Sequence, residues 1–203
     1  IAASMAYGLD SKSLNGKWLV FDFGGGTFDA ALMKASEGIM KVVDTAGDNR
    51  LGGKNLDFAI VDSIIIPHLE ENFSISNIMN DDNRKKLFRN ALKSFAEDIK
   101  INLSPANNLE WDILTDESIG EDDDANEIEI DLTVKKDDYE TVVKPIFQRA
   151  IDLSIQLLKN NNLEGKDLNT VLMIGGPTFS ETLRNMLREQ ITDKLDVSID
   201  PMT

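Results

Sequence analysis

Three consecutive glycines, a threonine and two aspartates lie together near the start of the chain. They are Asp22, Gly24, Gly25, Gly26, Thr27 and Asp29. Glycines at a turn allow backbone N–H groups to approach an anion closely. The threonine adds a hydroxyl, and the two aspartates are placed to hold a hydrated magnesium ion that offsets phosphate charge. The segment is therefore either a phosphate-binding turn, different from the P-loop whose lysine pattern is absent, or only a tight turn.

Two pairs of glycines further along the chain could serve the same chemistry. Gly52 and Gly53 precede a helical pattern, whereas Gly175 and Gly176 follow an apolar run typical of a buried strand. A segment that leads through glycines into a helix can present backbone N–H groups to a ligand. Each pair is equally compatible with an ordinary loop when it is considered alone.

Glu97, Lys100 and Ser104 share one face of a predicted helix. The apolar residues of that segment recur at about 100° per residue, and the three polar residues project from roughly the opposite side. Together they could hydrogen-bond a ribose and the edge of an adenine. The alternative is a solvated face with one Glu–Lys pair, which contributes only tenths of a kcal/mol.

The other polar features suggest structure rather than chemistry. His68 is the single histidine, and we expect it to be a surface residue that is neither a catalyst nor a ligand. Residues 116–125 are strongly acidic and contain no basic residue, which favours a solvated hairpin loop, with a calcium site as the alternative. Trp18 and Trp111 are predicted to lie in the core.

Composition excludes several classes of protein. The chain has 203 residues, a net charge of −15 and no cysteine. Disulfides and thiolate metal sites are therefore excluded, which fits a cytoplasmic protein. The negative charge argues against nucleic acid and anionic membranes as partners, because their phosphates would be repelled. No apolar stretch approaches the roughly 20 residues that cross a bilayer, and both termini suggest a piece of a longer protein.

The spacing of apolar residues predicts an α/β chain. The first 50 residues predict a small sheet of consecutive hairpins, and alternation predicts two more strands within residues 109–134. A final buried strand is predicted at Thr170–Ile174. Helical spacing predicts four helices. The first runs from Asn55 to about Phe73 and is capped by Asn55 or Asp57, and the second, after a polar loop, runs from Asn83 to about Leu103. The third runs from about Tyr139 to Asn160 with Pro145 near its start, and the fourth begins after the cap Ser180.

Two subdomains follow from this order of elements. The hairpin sheet of residues 1–51 and the helix, strand and helix of residues 137–203 form one predicted α/β subdomain. Residues 52–136 form a predicted α+β subdomain that is inserted into it.

In combination and order, these segments resemble the DnaK-type heat-shock chaperones. Residues 6–10 match the family's Ala-Tyr-Gly-Leu-Asp, and residues 20–29 match its phosphate hairpin. Residues 47–57 are similar to its Gly-Asp-Thr-His-Leu-Gly-Gly-Glu-Asp-Phe-Asp segment. The adenosine-binding helix is matched at Glu97, Lys100, Leu103 and Ser104, and the adenine loop at Gly175 and Gly176. The hairpin alone is shared by all actin-like ATPases, whereas the other segments narrow the resemblance to the chaperones.

The resemblance implies the second lobe of an actin-like (ribonuclease H-like) ATPase domain, which binds ATP or ADP with Mg²⁺ and K⁺. It implies phosphate contacts for the hairpin glycines and Thr27, a water-mediated metal shell at Asp22 and Asp29, and phosphate or ribose contacts for Gly52 and Gly53. The implied adenosine contacts are Glu97, Lys100, Ser104, Gly175 and Gly176. The implied partners are the first lobe, a nucleotide-exchange factor, a J-type co-chaperone and, through a separate domain, unfolded client peptides.

The sequence departs from the family pattern in two ways. The family's phosphate lysine, first-lobe aspartate and catalytic glutamate are absent, so we expect no ATP hydrolysis by this chain alone. In the adenine loop, Pro177 and Phe179 replace a serine and an arginine, and Phe179 could stack on adenine but not donate hydrogen bonds. Arg50, Lys54, Asn55 and Met202 also differ from the family. Two alternatives stay open, a non-hydrolysing relative that binds nucleotide or protein partners, and another actin-fold protein such as a sugar kinase or filament protein.

Overall fold

A computed structural model describes residues 15–37 and 39–197 of the chain. The resemblance at residues 6–10 and the departure at Met202 lie outside the described residues. The chain divides into two compact units, the first formed by residues 1–55 and 144–203 and the second by residues 56–143. The subdomains predicted from the sequence place these boundaries slightly earlier and stay a prediction.

The first unit contains a five-stranded sheet, formed by β1 (Gly16–Phe23), β2 (Phe28–Ser36), β3 (Ile39–Asp48), β6 (Thr170–Ile174) and β7 (Leu195–Asp196). The strand order is β3-β2-β1-β6-β7. Strands β1, β2 and β3 are antiparallel neighbours, whereas β6 lies parallel to β1 and β7 parallel to β6. The predicted succession of a strand, a glycine turn and a strand is therefore present.

The strands that lead into the glycine turn are buried on both faces. Leu19 to Phe21 of β1 are less than 2% exposed, and Phe23 and Phe28 are fully buried on either side of the turn. The ring of Phe23 packs edge-on against Phe147, with 5.9 Å between the ring centroids. Such aromatic contacts add to the burial of apolar surface and fix the ends of the two strands from which the turn projects.

Helices make up most of the remaining chain. They are α1 (Gly53–Ile60), α2 (Ile66–Asn72), α3 (Ser76–Asn80), α4 (Asp82–Ala91), α5 (Lys93–Leu103), α6 (Lys136–Asn160) and α7 (Glu181–Gln190). A π-helical turn joins α1 to α2, so the predicted helix up to about residue 73 is continuous but not regular. The second unit also contains a two-stranded sheet of β4 (Glu110–Leu114) and β5 (Asp131–Lys135). No described helix is both long and apolar enough to span a membrane.

Three helix predictions were wrong in detail. The helix predicted from residue 83 to 103 is two helices, because Leu92 adopts a ψ of −11° and ends α4. Phe88, Leu92 and Ala96 are all buried, so the apolar spacing continues across the break and cannot reveal it. The polar loop predicted before this segment contains the short helix α3. Pro145 lies inside α6 rather than near its start, because that helix begins before the predicted residue.

Two side-chain predictions also need correction. Trp18 is buried as predicted, but Trp111 is only partly buried, and its indole N–H donates a hydrogen bond of 2.8 Å to Asp98. Ser180 occupies the N-cap position of α7, yet its side chain makes no capping hydrogen bond. Its hydroxyl is instead buried without a partner among the described residues.

The acidic loop is organised by one carboxylate. Asp122 is buried and accepts hydrogen bonds from the backbone N–H groups of Ser74, Asp124 and Asn126. These bonds lower the pKa of Asp122, the largest contribution coming from the backbone of Asn126. Its oxygens therefore accept hydrogen bonds from the surrounding backbone, which fits the hairpin-loop interpretation. The calcium site stays an untested alternative.

Candidate functional site

The tip of the β1–β2 hairpin offers three backbone donors. The turn is closed by a hydrogen bond of 2.9 Å from the Gly24 N–H to the Thr27 carbonyl. Within the described part of the chain, the N–H groups of Gly25, Gly26 and Thr27 have no hydrogen-bond partner. A Cβ atom at Gly25 or Gly26 would meet no atom within 4 Å, so the turn has open space on the side where those atoms would project. Consecutive N–H groups of this kind form an anion-binding concavity.

The hairpin tip is fastened to the first turn of α1. The N–H groups of Gly53 and Lys54 donate hydrogen bonds of 2.9 and 2.8 Å to the carbonyls of Gly24 and Gly25. The first N–H groups of a helix have no partner within the helix, and here the hairpin supplies one for two of them. The Gly53 N–H is therefore committed to positioning the hairpin.

Gly52 lies against the backbone of the hairpin. A Cβ atom at Gly52 would lie 2.5 Å from the Gly26 nitrogen, so only glycine fits. The Gly52 N–H donates a hydrogen bond of 2.8 Å to the Asn55 side-chain oxygen, and the backbone N–H of Asn55 donates to the Gly52 carbonyl. Of the two residues predicted to cap α1, Asn55 is therefore the one whose side chain hydrogen-bonds the backbone at the start of the helix. A direct contact of Gly52 or Gly53 with phosphate or ribose stays a prediction.

Asp22 and Asp29 are directly opposed across β1 and β2. Partial burial raises the pKa of the Asp22 carboxyl, and the negative charge of Asp29 raises it further. Gly47 on β3 adjoins this pair, since a Cβ atom there would lie 3.0 Å from an Asp29 oxygen. Two neighbouring carboxylates whose charges repel each other have the ligand chemistry that would suit a hydrated divalent cation.

The loop after β6 passes close to the same hairpin. Gly175 has a φ of +94°, and a Cβ atom there would lie 2.1 Å from the Phe23 carbonyl oxygen. Both facts require glycine, since other residues rarely adopt this conformation. Thr178 closes the following turn, with its N–H and its hydroxyl both donating to the Gly175 carbonyl at 3.0 and 2.6 Å. A Cβ atom at Gly176, by contrast, would meet nothing within 4 Å.

Phe179 leaves this loop with an exposed ring. The side chain is 53% exposed, and the Arg184 guanidinium lies 5.8 Å from the ring centroid. Arg184 is held by a hydrogen bond of 2.8 Å to the Thr178 carbonyl and by Glu181 at 3.8 Å. An aromatic ring with a cation on it and its surface in solvent can stack on a planar base.

The three polar residues of the predicted adenosine helix belong to the second unit, on α5. Glu97 lies 3.9 Å from Lys100, and the Ser104 hydroxyl donates a hydrogen bond of 2.6 Å to the Lys100 carbonyl. The Glu97 carboxylate is about half exposed, whereas the Lys100 side chain is mostly buried. The structure thus brings the three residues together on one face, as their spacing predicted.

Lys100 has a partner that the sequence analysis missed. Its ammonium group lies 2.5 Å from the carboxylate of Asp57, which is 2% exposed, and Lys93 lies 3.6 Å from the same carboxylate. Asp57 was one of the two predicted caps of α1, and this prediction was wrong because its side chain is buried against α5. The sequence does contain a sign of this ion pair. Asp57 lies beside Leu56 and near Ile60 on an apolar helix face, where a charge needs a partner.

A comparison with protein families places this geometry in a known context. The family model described as Hsp70 protein matches residues 1–202. This chain belongs to the Hsp70 family. The DnaK-type resemblance and the actin-like α/β fold class predicted from the sequence are confirmed by this membership.

A curated Hsp70 relative is similar to the chain over nearly all of its residues. The chaperone protein DnaK of Mycoplasma mobile is 33% identical over 205 residues, which cover 98% of this chain and 32% of that protein. The chain therefore spans about a third of the length of this Hsp70 relative. Hsp70 proteins in general bind ATP or ADP together with Mg²⁺.

Proposed function

We propose that this chain is the nucleotide-binding second lobe of an Hsp70-type chaperone ATPase. The observation that carries the proposal is the row of three N–H groups at Gly25, Gly26 and Thr27, which have no partner among residues 15–37 and 39–197 and lie between two opposed aspartates. Backbone donors suit phosphate in a chain with a net charge of −15, because local dipoles can attract an anion that the overall charge repels.

In this proposal the hairpin binds the phosphates of ATP or ADP. The three N–H groups and the Thr27 hydroxyl donate hydrogen bonds to phosphate oxygens. Asp22 and Asp29 hold the water shell of Mg²⁺, and of K⁺ where it is bound, and the magnesium ion offsets the phosphate charge. Gly52 and Gly53 support the hairpin from behind.

Glu97, Lys100, Ser104, Gly175 and Gly176 are proposed to hold the adenosine. A half-exposed carboxylate such as Glu97 accepts hydrogen bonds from ribose hydroxyls, and the Ser104 oxygen retains lone pairs for the same purpose. Lys100 mainly neutralises Asp57. The exposed ring of Phe179 is proposed to stack on the base in place of the family's arginine.

The activity of the whole protein is proposed on the same basis. We expect the parent to couple ATP hydrolysis to the binding and release of client peptides through a separate domain, with an exchange factor and a J-type protein as partners. Hydrolysis relies on positioning and electrostatics supplied by both lobes, so this chain alone is expected to be inactive. Of the alternatives, a sugar kinase or filament protein is not favoured, because the matching family is Hsp70. The other alternative, a non-hydrolysing relative, is distinguished from an active ATPase by a measurement of ATP hydrolysis.

Single-turnover ATP hydrolysis by the parent two-lobed domain tests this function. We expect Thr27→Val to reduce the rate at least tenfold at saturating nucleotide, because the hydroxyl at the turn is lost while the side chain keeps its size. Thr45→Val is the matched control, since Thr45 lies exposed on β3 of the same unit, and it should leave the rate unchanged. A parent domain that binds ATP tightly but never hydrolyses it would favour the non-hydrolysing relative. A chain that hydrolyses ATP by itself, with turnover abolished in Thr27→Val, would contradict the lobe assignment.

A further inference from the structure

Side chains hold the C-terminal end of α5 in place. The last four carbonyls of an α-helix have no partner within the helix. Side chains donate hydrogen bonds to three of these carbonyls in α5, which are those of Lys100, Asn102 and Leu103. The donor to the Leu103 carbonyl is the ammonium group of Lys136, the first residue of α6, which lies 33 positions further along the chain.

Lys136 binds the backbone on both sides of Ser104. Its ammonium group donates hydrogen bonds to the carbonyl of Leu103 and, at 3.0 Å, to the carbonyl of Pro105. One cation therefore fixes the peptide groups that precede and follow Ser104. The backbone N–H of Lys136 also donates to the Leu109 carbonyl at 2.7 Å. A cation at this end of a helix is stabilised by the helix dipole as well.

The burial of Lys136 is unusual for a lysine. Its side chain belongs to a residue that is 9% exposed, and its ammonium group lies 5.6 Å from the ring centroid of the fully buried Tyr139. Lysine is rarely buried without a partner, and the burial of a charge costs free energy unless hydrogen bonds compensate for it. Water could satisfy the end of a helix without that cost. The buried cation therefore indicates that the geometry of this helix end matters.

Ser104 is the residue whose position depends on this end of α5. Its hydroxyl proton is donated to the Lys100 carbonyl at 2.6 Å, so its oxygen can only accept further hydrogen bonds. Ribose hydroxyls are suitable donors to it. A hydrogen bond weakens steeply outside its preferred distance and angle, so a displaced backbone at Ser104 would lose this contact.

We propose that Lys136 is a positioning residue for the adenosine site, which holds the end of α5 so that the Ser104 oxygen accepts a hydrogen bond from ribose. This inference rests on the proposed function of α5. A merely structural role predicts that the loss of Lys136 weakens the binding of every nucleotide equally. A positioning role predicts that recognition of the ribose hydroxyls is lost selectively.

Isothermal titration calorimetry of the parent two-lobed domain with Mg²⁺ distinguishes these roles. The measured quantity is the ribose preference, which is the dissociation constant of 2′,3′-dideoxy-ADP divided by that of ADP. Lys136→Met should lower the ribose preference about fivefold, as expected for the loss of roughly one hydrogen bond. Lys136→Arg keeps a cationic donor and should restore it to within about twofold. Lys135→Met is the matched control, because it removes the same charge from the exposed neighbouring residue, and it should change nothing.

A double variant tests whether Lys136 acts through Ser104. Ser104→Ala should lower the ribose preference by a factor similar to that of Lys136→Met. Combining the two substitutions should lower it by less than about twofold beyond Ser104→Ala alone, because the effects of residues that act as a unit do not add.

Hydrogen exchange provides a readout that needs no nucleotide. In the free domain, peptides that cover residues 101–109 should exchange faster in Lys136→Met than in the unmodified protein or in Lys135→Met, because the end of α5 is released. If Lys136→Met does not fold, Lys136→Gln, whose shorter side chain still donates hydrogen bonds, should lower the ribose preference about twofold.

Three results would overturn the proposal. They are a ribose preference that Lys136→Met leaves unchanged, additive effects of the Lys136 and Ser104 substitutions, and unchanged exchange of residues 101–109. An unmodified domain that binds neither nucleotide would contradict the proposed function itself, and the inference would fall with it.

Discussion

At Gly52 the loop before α1 lies so close to the hairpin that a methyl group has no room. We expect Gly52→Ala to lower the free energy of unfolding by about 2 kcal/mol, because the backbone contact must open. Gly25→Ala should change it by less than about 0.5 kcal/mol, since its Cβ atom points into open space. Urea unfolding compares the two variants. The same open space is where phosphate is proposed to bind, so Gly25→Ala should still weaken ADP binding. Equal stability losses would contradict this packing.

Asp22 gives a prediction about pH. Its pKa in the folded chain is raised from 3.8 by burial and by Asp29, so its contribution to stability is full below the unfolded pKa and is lost as the pH rises through the folded pKa. Asp22→Asn should therefore raise the melting temperature near pH 7 in the absence of Mg²⁺, and this advantage should disappear near about pH 4.

Mg²⁺ with ADP provides the control for that prediction. The proposed cation neutralises the Asp22 charge, so the ligand should stabilise the unmodified chain more than Asp22→Asn. An Asp22→Asn variant that is less stable than the unmodified chain at neutral pH without Mg²⁺ would contradict the assigned cause of the pKa shift.

The sequence identified most of the candidate residues but not their internal contacts. Asp22, the hairpin glycines and Thr27 were singled out because glycines flanked by acids suit a phosphate-binding turn, and the order of the other segments then favoured that interpretation over a plain tight turn. That Gly53 donates its N–H to the hairpin could not be predicted, because the partner is a carbonyl common to every residue. The ion pair between Asp57 and Lys100 was missed for a different reason, since the two residues lie 43 positions apart.

At the scale of elements, α1 and α5 are joined by a buried charge. Lys100→Met should lower the free energy of unfolding by about 3 kcal/mol, because it leaves the Asp57 carboxylate buried with a weaker partner. Lys93→Met should cost less, about 1 kcal/mol, since Lys93 is more distant and more exposed and a partly exposed pair contributes little. Chemical unfolding measures both. Similar losses would mean that the two lysines share the charge equally, and any loss of nucleotide affinity in Lys100 variants must be corrected for unfolding.

The elements themselves were largely predictable, because strand and helix spacing survive in this sequence. The break at Leu92 was not predictable, since its buried neighbours keep the helical spacing across it. Burial of Trp111 was overpredicted, because its indole N–H requires a polar partner and finds Asp98 at the surface of the unit.

At the scale of the whole molecule, the net charge of −15 should dominate the response to salt. Self-repulsion among the excess acids destabilises the compact state. Raising NaCl from about 10 mM to about 150 mM should therefore raise the melting temperature, because the Debye length shortens. Differential scanning calorimetry checks the shift. A melting temperature that falls with salt would mean that the surface ion pairs outweigh the repulsion.

The fold class was predictable at this scale because four segments in the right order are far more specific than any one of them. The hairpin alone specified no more than an actin-like ATPase. The glycine loops and the face of α5 together narrowed it to the family that the comparison found.

The fastening of the hairpin has an evolutionary consequence. The bonds from Gly53 and Lys54 to the hairpin run between main-chain atoms, and the open donors at the tip are main-chain atoms as well. Lys54 could therefore replace the residue that the family has at this position without removing its bond. A turn that is held by main-chain hydrogen bonds tolerates substitution of the side chains around it, as long as its few glycines are retained. Mutational robustness of this kind suits a chain that is 33% identical to a curated relative and whose hairpin tip keeps N–H groups without a partner among the described residues.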